Sequence, residues 1–209
     1  MNNLSELHDI AILFDRPRVI GVCADVNEGK SNLLCWMVLE LRKQYKFNLY
    51  SYGLDVDLQQ QKIYSVDELE RIQNGIIVID EFATLFDLDD RKLKKQIEKT
   101  FRLICHIEKN NIIILAGLPE NYKKFLSAKL SAIIFKTCTL ADFINGSKIK
   151  YEAFKFSDPM LGSTVLKVNV DQALVFDGQH YHKISVPYLR EFDSKIHNAK
   201  ILTPRGTHK

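Results

Sequence analysis

The stretch ADVNEGKS, Ala24 to Ser31, follows the apolar run Val19 to Cys23, and a second apolar run, Ile76 to Ile79, ends in Asp80 and Glu81. Residues of these types suit the handling of a phosphate chain and a divalent cation. Gly29 permits the tight curl that turns consecutive backbone N–H groups toward an anion, and a helix starting just after it adds its positive end. Lys30 is placed to reach β- and γ-phosphates, and the Ser31 hydroxyl to ligate Mg2+. A buried strand ending at Asp80 presents a carboxylate to the metal's water shell, and Glu81 orients or deprotonates an attacking water. Asp80, Glu81 and Lys30 are thus the candidate catalytic groups. The segment Ala24, Asp25, Val26, Asn27, Glu28, Gly29, Lys30, Ser31 and Asn32 is the candidate loop for ATP, with Ser31 and Asp80 as Mg2+ ligands. Ala24 tolerates a sharp bend less well than glycine, and Asp25 and Glu28 put carboxylates beside a site meant for anions. The competing reading makes Asp80 and Glu81 a turn or helix cap, common at strand ends.

Strands and helices must alternate to hold these two segments together. The pattern predicts an α/β fold with a mostly parallel central sheet flanked by helices. A helix is expected over Leu4 to Phe14, leading through Pro17 into a strand at Arg18 to Cys23. A helix over Asn32 to Lys46 and a strand at Phe47 to Tyr52 follow, then Ser65 and Glu68 as a capping box for a short helix. Further strands are expected at Ile112 to Ala116 and Ala132 to Lys136, with a helix starting near Pro119. From Lys150 to Val186 the residues alternate and the turns are glycine-rich, which predicts added antiparallel strands. The expected organisation is one domain over residues 1–194, with its core at about 15–140, and a basic, flexible tail at 195–209.

At 209 residues and 46% apolar the chain can bury one sizeable core, and a net charge of +3 does not by itself demand a nucleic-acid partner. Cys23, Cys35, Cys105 and Cys138 show no metal or CxxC spacing and read as reduced core thiols of a cytoplasmic protein. No apolar run approaches the length of a membrane span.

Asp90 to Glu108 reads as a helix with Leu93, Ile97, Phe101 and Ile104 on its buried stripe. Arg91, Lys95, Lys99 and Arg102 recur on a roughly opposite face, either solvated or set against an anion. His180 and His182 share one side of a strand but lack an evident third metal ligand. Tyr151, Phe154 and Phe156 among Lys148, Lys150 and Lys155 are either strand packing or an aromatic, basic surface for DNA.

The order RVIGVCADVNEGKSNLL, GIIVIDEFATLF, NNIIILAGLPENYKKFLSAKLSAIIFK resembles the FtsK-HerA group of P-loop ATPases, in particular its minimal viral members that package DNA. The resemblance covers roughly residues 15–140. It implies a RecA-like P-loop NTPase fold and Mg2+-dependent ATP hydrolysis that drives translocation of double-stranded DNA into a capsid. It also implies a homo-oligomeric ring in which a neighbouring subunit's arginine completes the site, with Arg91 and Arg102 the candidates for that finger. Capsid or vertex proteins become expected partners, and the host cytoplasm or the virion the expected location. Two departures stand out. The group usually has glycine where Ala24 stands, and a polar sensor, often glutamine, where this chain has Ala116-Gly117-Leu118. The sensor role is unassigned, with either Asn111 or Asn121 the candidate to replace it, though neither stands at the expected position. A virion assembly or secretion ATPase and a nucleotide-binding scaffold without translocase activity are the alternatives.

Overall fold

The computed structural model describes residues 5–6, 19–86, 91–122, 130–140 and 165–192, with the backbone course alone for 5–6, 91–97, 107 and 191. The core begins with β2 (Val19–Cys23), buried along its whole length. It is preceded by a two-residue strand, β1 (Ser5–Glu6). After β2 come α1 (Lys30–Gln44), β3 (Asn48–Tyr52), β4 (Gln61–Lys62), α2 (Val66–Leu69) and β5 (Gly75–Asp80). Then follow α3 (Phe82–Phe86), α4 (Arg91–Ile104), β6 (Ile112–Gly117), β7 (Ala132–Phe135) and β8 (Cys138–Thr139). The described chain ends with β9 (Val165–Leu166), β10 (Gln172–Phe176) and β11 (Tyr181–Ser185).

One nine-stranded sheet has the order β1-β11-β10-β7-β2-β6-β5-β3-β4. The strands from β7 to β4 run parallel, while β10 is antiparallel to both β7 and β11. Val- and Ile-rich runs form the parallel part because both of its faces are covered, which rewards continuous apolar sequence over alternation. Alternate residues of β2 show the division: Val19 and Cys23 face one core layer, Ile20 and Val22 the other. α1 covers the second layer with Leu33, Leu34, Met37, Val38 and Leu41, at about 1.5–3 kcal/mol for each side chain removed from water. Phe82, Phe86, Phe101, Ile104 and Tyr122 fill the first. The Tyr122 hydroxyl lies 2.7 Å from the Val22 carbonyl and 2.8 Å from that of Leu115, fastening β2 to β6 near their ends.

Parallel strands place their C-terminal ends on one edge, where open sheets of this kind bind ligands. Residues following β2, β3, β5, β6 and β7 therefore converge there, and both candidate segments are among them.

Most predicted elements form within a residue or two of the expected bounds. The opening helix does not: Ser5–Glu6 is extended and pairs in parallel with His182 and Lys183, because the open edge of β11 offers amides that a short polar segment can satisfy. The rest of that expected helix lies outside the described residues, as do the tail and residues 148–156 with their lysines and aromatics. Where a helix is expected to start near Pro119 the chain makes a 3-10 turn, Pro119–Asn121, and residues 123–129 lie outside the described residues. Glu68 reaches back to the Tyr64 N–H and the Ser65 hydroxyl rather than to the Ser65 N–H, and the Ser65 side chain caps no helical N–H, so neither bond of the expected capping box forms. In α4, Phe101 and Ile104 are buried as predicted, and the side chains of Leu93 and Ile97 are outside the described residues.

Candidate active site

The loop after β2 leaves the sheet edge and turns directly into α1. Gly29 is the N-cap, left-handed at φ 82°, and no side chain caps the helix, so the first N–H groups of α1 face the cleft. Asn27 is also left-handed, at φ 65°, whereas Ala24 is not, so the bend falls at Asn27 and Gly29 and needs no glycine at position 24. Ala24 is fully buried, with its N–H aimed at the Gly117 carbonyl at 3.5 Å.

Asp25 does not confront the anion site. Its Oδ2 accepts from the N–H and the hydroxyl of Thr139, each at 3.0 Å, and its own N–H donates to the Thr137 carbonyl. Asp25 thus anchors the loop to β8. Glu28 remains exposed and lines the cleft. Val26 lies exposed on the same loop.

Lys30 joins the two candidate segments. Its Nζ donates to Asp80 Oδ1 at 2.6 Å and also to Glu81 Oε1. Burial works against the Lys30 charge, but hydrogen bonds and attraction from both carboxylates outweigh it and lift the ammonium above its ordinary value. Burial lifts the Asp80 carboxyl as well, and Lys30 offsets this only in part. Glu81 itself is left-handed at φ 51°, an unfavourable conformation for a residue with a side chain. Its N–H donates to Asp80 Oδ1 at 3.0 Å, and its carbonyl accepts from Thr84 in the first turn of α3.

Several residues at the site carry no local sequence signal. Gly53, at the end of β3 with φ +71°, lies so close to Asp80 that an added Cβ would stand 2.6 Å from its carbonyl oxygen. Lys136, which follows β7, is 2% exposed, and its Nζ donates to the carbonyls of Val170 at 2.8 Å, Gln172 at 2.7 Å and Asn169 at 3.4 Å. Burial pushes its pKa down. The same side chain passes beneath Gly29, 3.4 Å from where a Cβ would stand.

The cleft beside the loop has a volume of about 380 Å³ and is bounded by Asn27 to Asn32 on one side and by Val168, Val170, Tyr188 and Phe192 on the other. Asn32 lines it but spends its amide elsewhere: Nδ2 donates to the Pro187 carbonyl and Oδ1 accepts from the Leu189 N–H. Its side-chain amide thus fastens the first turn of α1 to the segment around Tyr188.

No protein-family model and no curated protein matches the sequence. Solved structures do match the fold. The genome packaging NTPase B204 from Sulfolobus turreted icosahedral virus 2, in complex with sulfate, superposes with a TM-score of 0.56 at 12% identity, over 84% of this chain and 99% of that one. The same protein with ATP-gammaS gives 0.53 at 11% identity, over 84% and 100%. The cytoplasmic domain of the Thermomonospora curvata type VII secretion ATPase EccC gives 0.56 at 12% identity, over 83% of this chain and 24% of that one.

The fold is that of the P-loop ATPases. The resemblance to the FtsK-HerA group stands at that level.

Within the P-loop ATPase frame the remaining candidates separate. Asn111 is excluded as a sensor: it is buried just before β6, accepting from the Gly75 N–H at the start of β5 and donating to the Ile72 and Ile104 carbonyls, at the opposite edge from Asp80. Asn121 stays at the correct edge, its Nδ2 3.4 Å from where a Gly117 Cβ would stand. Arg102 is exposed on α4 and does not line the cleft, while the side chain of Arg91 is outside the described residues. His182 Nε2 lies 3.0 Å from Asp177 Oδ2. Among the described residues no group of three or more His, Cys, Asp or Glu is placed to hold a metal ion.

Proposed function

We propose that this chain is an Mg2+-dependent ATP hydrolase that translocates double-stranded DNA, with packaging of a viral genome into a capsid as its role. The observation that carries the ATPase reading is the contact of the Lys30 ammonium with Asp80 and Glu81 at the mouth of an uncapped helix. A polyphosphate entering the loop competes for Lys30 and meets the first N–H groups of α1, releasing both carboxylates for their own work. The donor set fits Mg2+: the Ser31 hydroxyl and the Asp80 carboxylate are hard oxygen ligands, and such an ion takes few groups from protein and the rest from phosphate and water. Bound there, it would neutralise charge developing on the transferred phosphoryl group. Glu81, 49% exposed and next to Asp80, is the group that holds or deprotonates the attacking water.

Support for DNA as the cargo comes from B204, a genome packaging NTPase whose fold matches 84% of this chain over 99% of its own. On this reading the chain works as a homo-oligomeric ring, recruited by capsid or vertex proteins in the host cytoplasm, with Arg91 or Arg102 completing a neighbour's site. No helix among the described residues is long and apolar enough to cross a membrane. EccC favours a second reading, an ATPase serving assembly or secretion.

Steady-state ATP hydrolysis, measured with and without linear duplex DNA at low salt and several protein concentrations, tests the proposal. Stimulation by DNA that rises cooperatively with protein concentration is expected. Hydrolysis indifferent to DNA favours the assembly reading, and no hydrolysis by a protein that binds ATP favours a scaffold.

A further inference from the structure

The cleft beside the phosphate loop has a wall that phosphates do not need. Val170 is 78% exposed and Tyr188 56% exposed, two of the few large apolar side chains that the described residues leave open to solvent. Both line the same cleft as Gly29, Lys30 and Ser31, with Phe192 beside them. Its volume of about 380 Å³ falls in the ~300–1,000 Å³ range of small-ligand sites.

Two polar side chains hold this wall in place. Asn32, in the first turn of α1, grips the backbone on both sides of Tyr188, at 3.0 Å to the Pro187 carbonyl and 2.8 Å to the Leu189 N–H. Lys136 grips the backbone around Val170 from below the phosphate loop. The register between loop and wall is therefore set by side chains buried or half-buried at the loop itself.

We propose that this wall is the nucleobase and ribose subsite, that Tyr188 is its stacking platform, and that it accepts purines with little regard to their hydrogen-bonding edges. The proposal rests on the ATPase reading and adds to it which face holds the base and how selective that face is. Its selectivity follows from what the clamps consume. The Pro187 carbonyl and Leu189 N–H are engaged by Asn32, the Asn169 and Val170 carbonyls by Lys136, and both backbone groups of Val168 by the Thr137 hydroxyl. With these backbone groups engaged, a platform of Tyr188 and Val170 reads chiefly area and flatness. Sites without buried groups waiting for a hydrogen bond reject close analogues weakly.

Affinities for ATP, GTP and inorganic tripolyphosphate, each with Mg2+, are to be measured by calorimetry on the full chain and on Tyr188→Ala, Tyr188→Phe and Lys30→Ala. Wild type should bind ATP and GTP within about tenfold of each other. Tyr188→Ala should weaken both by roughly 5- to 100-fold, the size of base stacking on an aromatic ring, with tripolyphosphate unchanged and Tyr188→Phe near wild type. Unchanged ATP and GTP affinities in Tyr188→Ala, an equal loss of tripolyphosphate, or a preference beyond about 100-fold for one base in wild type would each overturn it. Tripolyphosphate binding that survives Lys30→Ala would instead overturn the phosphate-loop assignment beneath it.

Discussion

Gly53→Ala should damage the site from a position that touches no substrate. An alanine there must hold φ near +71°, which costs roughly 1–2 kcal/mol for a residue with a Cβ. Its Cβ also meets the Asp80 carbonyl oxygen at 2.6 Å and the carbonyl carbon at 3.3 Å, where ordinary contact begins at 3.4 Å. The obstacle is backbone at the end of a central strand, so it cannot rotate away, and overpacking of this kind adds about 1–3 kcal/mol. A total near 2–5 kcal/mol lowers the melting temperature of a chain this long by roughly 4–20 °C. Relieving the clash moves Asp80 by most of an ångström, and a shift of that size at a catalytic group costs about 100-fold in turnover. Gly53→Asn separates the two causes. Asparagine tolerates the left-handed region but carries the same Cβ, so it should recover part of the stability and little of the turnover. Thermal and urea unfolding read stability without reference to any reaction. A Gly53→Ala protein that melts within 2 °C of wild type would refute the reasoning, because neither strain nor contact would then be real.

Glu81→Gln should bind ATP normally and lose roughly 100- to 10,000-fold in hydrolysis, as removal of a general base does; near wild-type turnover in a single-turnover assay would discharge Glu81 from that role. Lys136→Met should take from the carbonyls of Asn169, Val170 and Gln172 the donor they share, lowering stability by about 1–3 kcal/mol in urea titrations; a neutral result would mean that water replaces the ammonium. Asp177 is opposed by burial, but the His180 N–H, the His182 ring and the Gln179 N–H prevail and hold its carboxyl below the ordinary 3.8. A depressed acid stabilises above its unfolded value and loses that contribution as pH falls through the folded one. The melting-temperature gap between wild type and Asp177→Asn should therefore be full at neutral pH and close below 3.8, and a gap that widens in acid would contradict it. Cys23, Cys35 and Cys138 are buried, with the Cys35 thiol pushed up to about 12, so a thiol reagent should label native protein rapidly at Cys105 alone and at all four after unfolding. Rapid labelling of a second thiol would show that the core opens at the sheet edge.

The loop and the acids were legible because each is a contiguous run whose residue types admit few other uses: a glycine and lysine after a buried strand, a carboxylate pair after another. Their meeting at Lys30 required only that parallel strands share an edge. The placement of Asp25 and Asn32 was not legible. Their partners lie 114 and up to 157 positions away, and nothing near Thr139 or Leu189 announces the pairing. Lys136 read as the last residue of a strand, since a lysine there is ordinarily solvated, and only the return of residues 169–172 over the loop explains its burial. Gly53 read as one glycine among nine. Glycine marks a close approach without naming what approaches.

β2 carries the phosphate loop from the middle of the sheet, and both of its neighbours are made much later. Val19 pairs with Ile113 and Ile20 with Ala132, and β1 waits for β11. As the chain leaves a ribosome, the strand that anchors the site must remain an apolar segment with two open edges until β6 and β7 have followed. Nonlocal parallel pairing of this kind folds slowly and exposes sticky edges meanwhile. A central position gives the finished molecule a rigid base for the loop, and it makes the nascent chain most vulnerable at the element on which the site depends.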